Sequence, residues 1–251
     1  MTPPYSPGVD PDDPRSAPWL AVIDMQKVFG EPGSRWFTPR FAETVGPIGE
    51  LVAAFGPRVT FTRFIAPETP RGAWAKYYEQ WPFALRPPES EIYRLVDEFA
   101  PGAGPTLDAT TFGKWTPELA ARVGDGGRLL LAGVSTDCCV LSTALAAADA
   151  GVEVQVVSDA CAGVSDAAHL RALDVMRLYG PHIEVVTLAE VLSRYAGVPG
   201  ADGLGADGLG ADGLGADGLG ADTDVPGRDA AARGAVDAAT HPPSSAERTS
   251  S

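Results

Sequence analysis

Three residues of this sequence have the types and settings that thiol chemistry needs. Two cysteines stand side by side in GVSTDCCVLSTALAAADAG (133–151), Asp24 closes the apolar run VIDM at 22–25 from within, and Lys114 follows TLDATTF (106–112). A thiol becomes a nucleophile when a base takes its proton or a cation favours the thiolate. A carboxylate can be that base, and an ammonium group beside both would stabilise the two anions. Each residue also has an ordinary reading. An acid after a strand can cap a helix, a cysteine in an apolar helix can be core, and Lys114 can be an exposed loop lysine.

The adjacent cysteines separate on a helix starting at an N-cap of Thr136 or Asp137. Successive helical residues point about 100° apart, so only one of the pair is expected to face a crevice. Cys138 shares a stripe with Leu141, Leu145 and Ala148, whereas Cys139 aligns with Ser142, Thr143 and Ala146. Cys138 is therefore the better core residue. Cys139 lies in the first turn, where free N–H groups favour a thiolate. Cys161, in SDACAG, reads as a structural core cysteine.

These residues must be positioned by alternating strands and helices. Apolar or β-branched runs predict strands at 18–25, 58–64, 105–112, 128–134, 152–160 and 182–188, and helical spacing predicts helices at 41–55, 91–99, 137–150 and 166–180. The alternation implies an α/β fold, a three-layer doubly wound and mostly parallel six-stranded sheet of Rossmann-like type. Ligands bind such sheets outside the carboxyl ends of the strands, where Asp24, Lys114 and Cys139 all fall. Substrate choice is expected in the stretch 66–85, which holds Trp74, Tyr77, Tyr78, Trp81 and Phe83. Trp74, Tyr78 and Trp81 also fit one face of a short helix packed on the core or on a second subunit. Arg63 and Arg71 could meet a substrate carboxylate or simply be surface residues.

Composition sets the bounds. The chain has 251 residues, 45% of them hydrophobic, enough for a full core. Its formal net charge of −14 argues against a nucleic-acid partner. Three cysteines, two of them adjacent, form no disulfide framework. The N-terminal residues lack the pattern of a signal peptide, no run approaches the ~20 apolar residues of a membrane span, and a cytoplasmic setting is expected. Four ADGLG repeats (201–220) open a stretch too poor in apolar residues to pack. The expected organisation is a disordered segment at 1–15, a folded domain at 16–197 and a low-complexity linker and tail at 198–251.

VIDMQ…F (22–29), GVSTDCCV (133–140), STALAAADAG (142–151) and VVSDACAG (156–163) resemble the isochorismatase-like cysteine hydrolase family, which includes nicotinamidases, carbamoylsarcosine-type amidohydrolases and isochorismatases. The resemblance covers roughly residues 18–195. It implies that Cys139 is the nucleophile and Asp24 its general base. It implies a cis peptide at Val134–Ser135, with the N–H groups of Ser135 and Cys139 as the oxyanion hole, and Phe29 and Trp115 as pocket walls. Two departures stand out. The position matching the family lysine is Ala109, so Lys114 is the one lysine placed to stand in. The histidines, His169, His182 and His241, are far from the zinc-binding stretch of nicotinamidases, so no zinc and no other cofactor is expected. The implied function is hydrolysis of an amide-type C–N bond in a small molecule through a thioester, by a chain that can form a homo-oligomer. The alternatives are a vinyl ether hydrolase of the isochorismatase type and, given Ala109, a non-catalytic binding protein.

Overall fold

The computed structural model describes residues 17–100 and 102–196, so the segment 1–15 and the tail 198–251 lie outside the described residues. Six strands form one sheet: β1 (Trp19–Ile23), β2 (Val59–Phe64), β3 (Leu107–Ala109), β4 (Arg128–Val134), β5 (Glu153–Ala162) and β6 (Ile183–Val186). Their order is β3-β2-β1-β4-β5-β6, and all five pairings are parallel. The helices are α1 (Lys27–Gly30), α2 (Phe41–Phe55), α3 (Ala73–Gln80), α4 (Pro117–Val123), α5 (Leu141–Asp149), α6 (Asp166–Arg177) and α7 (Leu188–Arg194).

The central strands are apolar throughout because both faces of the sheet are covered. The side chains alternate between two cores, as the period of two in a strand requires. Leu20 and Val22 of β1, with Leu130 and Ala132 of β4, join α2 and α7 in one core. Ala21, Ile23, Leu129 and Leu131 join α4, α5 and α6 in the other. Helix α2 buries Phe41, Thr44, Ile48, Leu51 and Phe55, steps of three and four residues that draw one stripe toward the sheet. Thr116, Ser165 and Thr187 cap α4, α6 and α7 with their side chains.

Two expected elements differ. The third strand is confined to Leu107–Ala109. The helix expected at 91–99 is a single 3-10 turn, Glu91–Tyr93, after which the chain extends. Tertiary contacts override its helical spacing. Leu95 bridges antiparallel to Gln26, the Val96 N–H donates to the Met25 carbonyl, and Tyr93 is fully buried. Among the described residues, no helix is long and apolar enough to cross a membrane.

The chain order reverses between β1 and β4, so the crevice at their carboxyl ends is where a doubly wound sheet takes its ligand. Gly133 lets the two strands meet there. Its φ is 111°, and a Cβ at this position would lie 2.1 Å from the Ile23 carbonyl oxygen. The next peptide, Val134–Ser135, is cis.

Candidate active site

Asp24 follows β1 with φ 51°, a left-handed conformation unusual for a residue with a side chain, and is fully buried. Thr62 of β2 holds it. The Thr62 hydroxyl donates to Asp24 Oδ1 at 2.7 Å and accepts the Asp24 backbone N–H at 3.2 Å. Gln26 braces the same region by donating to the Phe64 and Tyr93 carbonyls and accepting the Phe64 N–H.

Lys114 is also fully buried, which excludes its reading as an exposed loop lysine. Its Nζ lies 2.9 Å from Asp24 Oδ2 and donates to the carbonyls of Thr111 (2.9 Å) and Phe112 (3.0 Å). The Oδ2 contact is a buried ion pair, and no other group among the described residues donates to Oδ2, so this oxygen can still accept a further donor. Burial works to lower the Lys114 pKa, but Asp24 and then Cys139 outweigh it and hold the ammonium charged above its ordinary value. Ala109 ends β3 in the apolar core, and the lysine reaches Asp24 from five residues farther along the chain.

The cysteines lie on a π-helical turn, Thr136–Val140, whose N-cap is Ser135 rather than Thr136 or Asp137. Asp137 instead accepts the Val164 N–H. The wider turn breaks the 100° spacing of an α-helix, and both cysteines line one cavity. Cys138 packs against the core as expected, but it also faces the cavity, which corrects the expectation that only Cys139 would do so. Cys139 is the more buried of the two at 5% exposure, and Cys138 is half-buried. The Cys139 thiol is pushed well above its ordinary value by its hydrogen bond with Cys138 and by burial, with Asp24 adding and Lys114 opposing. The same hydrogen bond lowers the Cys138 thiol. Thr143 ties the parts together, its hydroxyl donating to the Cys139 carbonyl at 2.7 Å and accepting the Lys114 N–H at 2.9 Å. Cys161 is buried in the core, its thiol pushed up to about 12 by desolvation.

The cavity measures about 370 Å³, within the range of small-molecule sites. Phe29, Trp36, Phe64, Tyr77, Trp81 and Phe112 supply aromatic walls, with Ser135 and both cysteines among the other lining residues. Trp36 stacks on Phe29 at 5.9 Å and meets the edges of Phe64, Trp81 and Phe83. Trp115 is not among the lining residues. It packs against the core that α4, α5 and α6 share with the sheet, and Phe112 lines the cavity from the same loop. From the aromatic stretch, Tyr77 and Trp81 line the cavity, while Tyr78 is buried in the core and Trp74 packs against it. Thr62, Thr143, Trp36 and Arg35 were missed from sequence. Thr62 and Thr143 look like ordinary strand and helix residues, and Arg35 and Trp36 sit in a loop without periodicity.

This arrangement can hold a small, largely apolar molecule against two thiols, with a buried carboxylate and ammonium acting on them. The family profile described as Isochorismatase domain matches residues 18–190. Isochorismatase domain-containing protein 2 from Xenopus laevis is 33% identical over 100 residues, or 34% of this chain and 49% of the relative, so the chain spans about half the length of the curated relative it matches. Among solved structures, a cysteine hydrolase from Pseudomonas syringae pv. phaseolicola has a TM-score of 0.60 at 24% identity, covering 70% of this chain and 91% of the other. A pyrazinamidase from Pyrococcus horikoshii in complex with zinc has a TM-score of 0.55 at 26% identity, covering 67% and 97%. The residues here do not fit a zinc centre. Among the described residues no group of three His, Cys, Asp or Glu side chains could hold an ion, and 65–85 contains no histidine. The fold, the strand-end crevice and the family profile agree: the chain belongs to the isochorismatase family.

Proposed function

We propose that this protein hydrolyses an amide-type C–N bond of a small molecule through a thioester on Cys139. The observation that carries this reading is the fully buried Asp24–Lys114 pair, whose two charges act on the Cys139 thiol at the cavity wall. Because that thiol is held protonated, it needs a base at the moment of attack. Asp24 Oδ2, with its free lone pair, takes the proton as the sulfur attacks the carbonyl carbon. The N–H groups of Ser135 and Cys139 receive the negative charge on the carbonyl oxygen. Asp24 then gives its proton to the leaving nitrogen as the C–N bond breaks, which leaves the acyl group on sulfur. Water attacks the thioester carbon while Asp24 takes its proton. The acid departs and the proton returns to the Cys139 sulfur. Lys114 stays charged throughout and offsets the anion on Asp24 or on sulfur. Phe29 and the other cavity aromatics hold the apolar body of the substrate.

The test is turnover of a panel of small amides, with isochorismate included, by wild-type and Cys139→Ala protein, followed by mass mapping of a trapped acyl group. Amide turnover that needs Cys139, with the acyl group on that residue, is the expected result. Turnover of isochorismate that survives Cys139→Ala would overturn the reading in favour of vinyl ether cleavage. A protein inert toward the whole panel would overturn it in favour of binding alone.

A further inference from the structure

The cavity contains one cation for which the proposed chemistry has no use. Arg35 is exposed on the loop between α1 and α2 and lines the cavity, whose lining residues include no acid. Its guanidinium carbon sits 4.9 Å from the ring centroid of Trp81, itself a cavity wall. No carboxylate pairs with it among the described residues. Arg63, Arg40, Arg122 and Arg194 are held by Asp108, Glu43, Glu118 and Glu184. Arg58, Arg71, Arg86 and Arg171 also have no carboxylate partner among the described residues, but Arg35 is the arginine that lines this cavity. Arg63, a candidate from the sequence for meeting a substrate carboxylate, gives Asp108 two hydrogen bonds of 2.7 and 2.5 Å and does not line the cavity.

Stacking on an aromatic face fixes the plane of a guanidinium and leaves its N–H edge free, and that edge matches a carboxylate with two parallel hydrogen bonds. The cavity behind Arg35 is walled by aromatic rings, which favour a flat ring as the body of the ligand. We propose that Arg35 is an anion-binding residue of this cavity, and that the substrate class is an aromatic amide bearing a carboxylate. The carboxylate meets Arg35 at the rim, the ring lies among the aromatic walls, and the amide carbonyl meets Cys139. The substrate assignment rests on the hydrolase reading above. The anion site does not.

Two matched pairs of probes separate these claims: 3-carbamoylbenzoate against isophthalamide, and 4-carbamoylbenzoate against terephthalamide. Each pair exchanges the carboxylate for a neutral amide of similar shape. Wild-type protein is expected to prefer at least one carboxylate in kcat/KM by about tenfold, and less at high salt because the contact is exposed. Arg35→Gln should bring that ratio close to one, and Arg35→Lys should recover only part of it. In parallel, calorimetry with Cys139→Ala protein should show that the preferred carbamoylbenzoate binds more weakly by about tenfold once Arg35→Gln is added. Turnover of the amides with no charge preference would overturn the anion site and leave the hydrolase reading standing. Binding that depends on Arg35 without any turnover would overturn the hydrolase reading and support the anion site. The absence of both turnover and Arg35-dependent binding would overturn the proposal.

Discussion

Lys114 Nζ lies 2.9 Å from Asp24 Oδ2 with both side chains fully buried, although the two residues come from the ends of different strands and are ninety positions apart. Taking either partner away leaves the other charge in the core without compensation. Lys114→Met should therefore cost about 3–5 kcal/mol in chemical denaturation, and Asp24→Asn combined with Lys114→Met should recover much of that loss while hydrolysis stays abolished. The pH dependence follows from the direction of the lysine shift. Its folded-state pKa is raised above the ordinary 10.5, so its contribution is fully present below that value and is lost only as pH rises through the raised one. The stability gap between wild-type and Lys114→Met protein should thus be flat through neutral pH and narrow only in strong alkali. A Lys114→Met protein as stable as wild type would refute the coupling.

Gly133 gives a second prediction. A methyl group there would meet the Ile23 carbonyl oxygen at 2.1 Å and the Ile23 nitrogen at 2.7 Å, both backbone atoms within the sheet, at a φ that L side chains avoid. Gly133→Ala should cost more than about 3 kcal/mol or prevent recovery of folded protein. Gly49 is the control. It lies inside α2 with nothing within 4 Å, so Gly49→Ala should stabilise the protein by about 0.5–1 kcal/mol. Thermal melts of the two variants should move in opposite directions.

Much of this architecture was legible because local pattern and tertiary environment agree. The β4 run RLLLAGV is apolar on both faces and is buried on both, and the α2 stripe has a single period. The failures occur where long-range contacts decide. Residues 91–99 have helical spacing, but Gln26 and Met25 capture their backbone. The facing of Cys138 was misjudged because a π-helical turn does not keep α-helical angles. Trp115 was expected at the cavity wall from the family resemblance alone, and the loop it shares with Phe112 carries no periodicity to say which ring turns inward. The strand-end rule brought Lys114 near Asp24, but its exposed reading stayed open because nothing in its local sequence distinguishes a buried ammonium from a solvated one.

Thr143 is a positioning residue, since its hydroxyl joins the Cys139 carbonyl to the Lys114 backbone N–H. Thr143→Val keeps the shape and removes both hydrogen bonds, at an expected cost of about 1–3 kcal/mol. It should also loosen Lys114, so the alkylation profile of Cys139 should move to higher pH. Thr143→Ser retains the hydroxyl and should restore both stability and profile. A purely structural role would change the melting temperature and leave the alkylation profile where it was.

The adjacent cysteines give the sharpest prediction because their chemistry differs while their cavity is shared. Cys138 is the more exposed thiol and is lowered by its hydrogen bond with Cys139, so a small alkylating reagent such as iodoacetamide should label Cys138 first at neutral pH. Cys139 is held protonated by that hydrogen bond, by burial and by Asp24, so its direct alkylation should rise only above the ordinary thiol value of 9.0. A substrate-like acyl donor reverses the order. Binding places its carbonyl where Asp24 can take the Cys139 proton as the bond forms, and the acyl group should be found on Cys139. Cys139→Ala should abolish amide hydrolysis. Cys138→Ala should keep it within about tenfold, because it removes a neighbour of the nucleophile and not the nucleophile itself, and should cost roughly 1 kcal/mol in stability. Peptide mapping after a single turnover tests the assignment. An acyl group on Cys138, or full activity in Cys139→Ala protein, would reverse the roles of the two thiols.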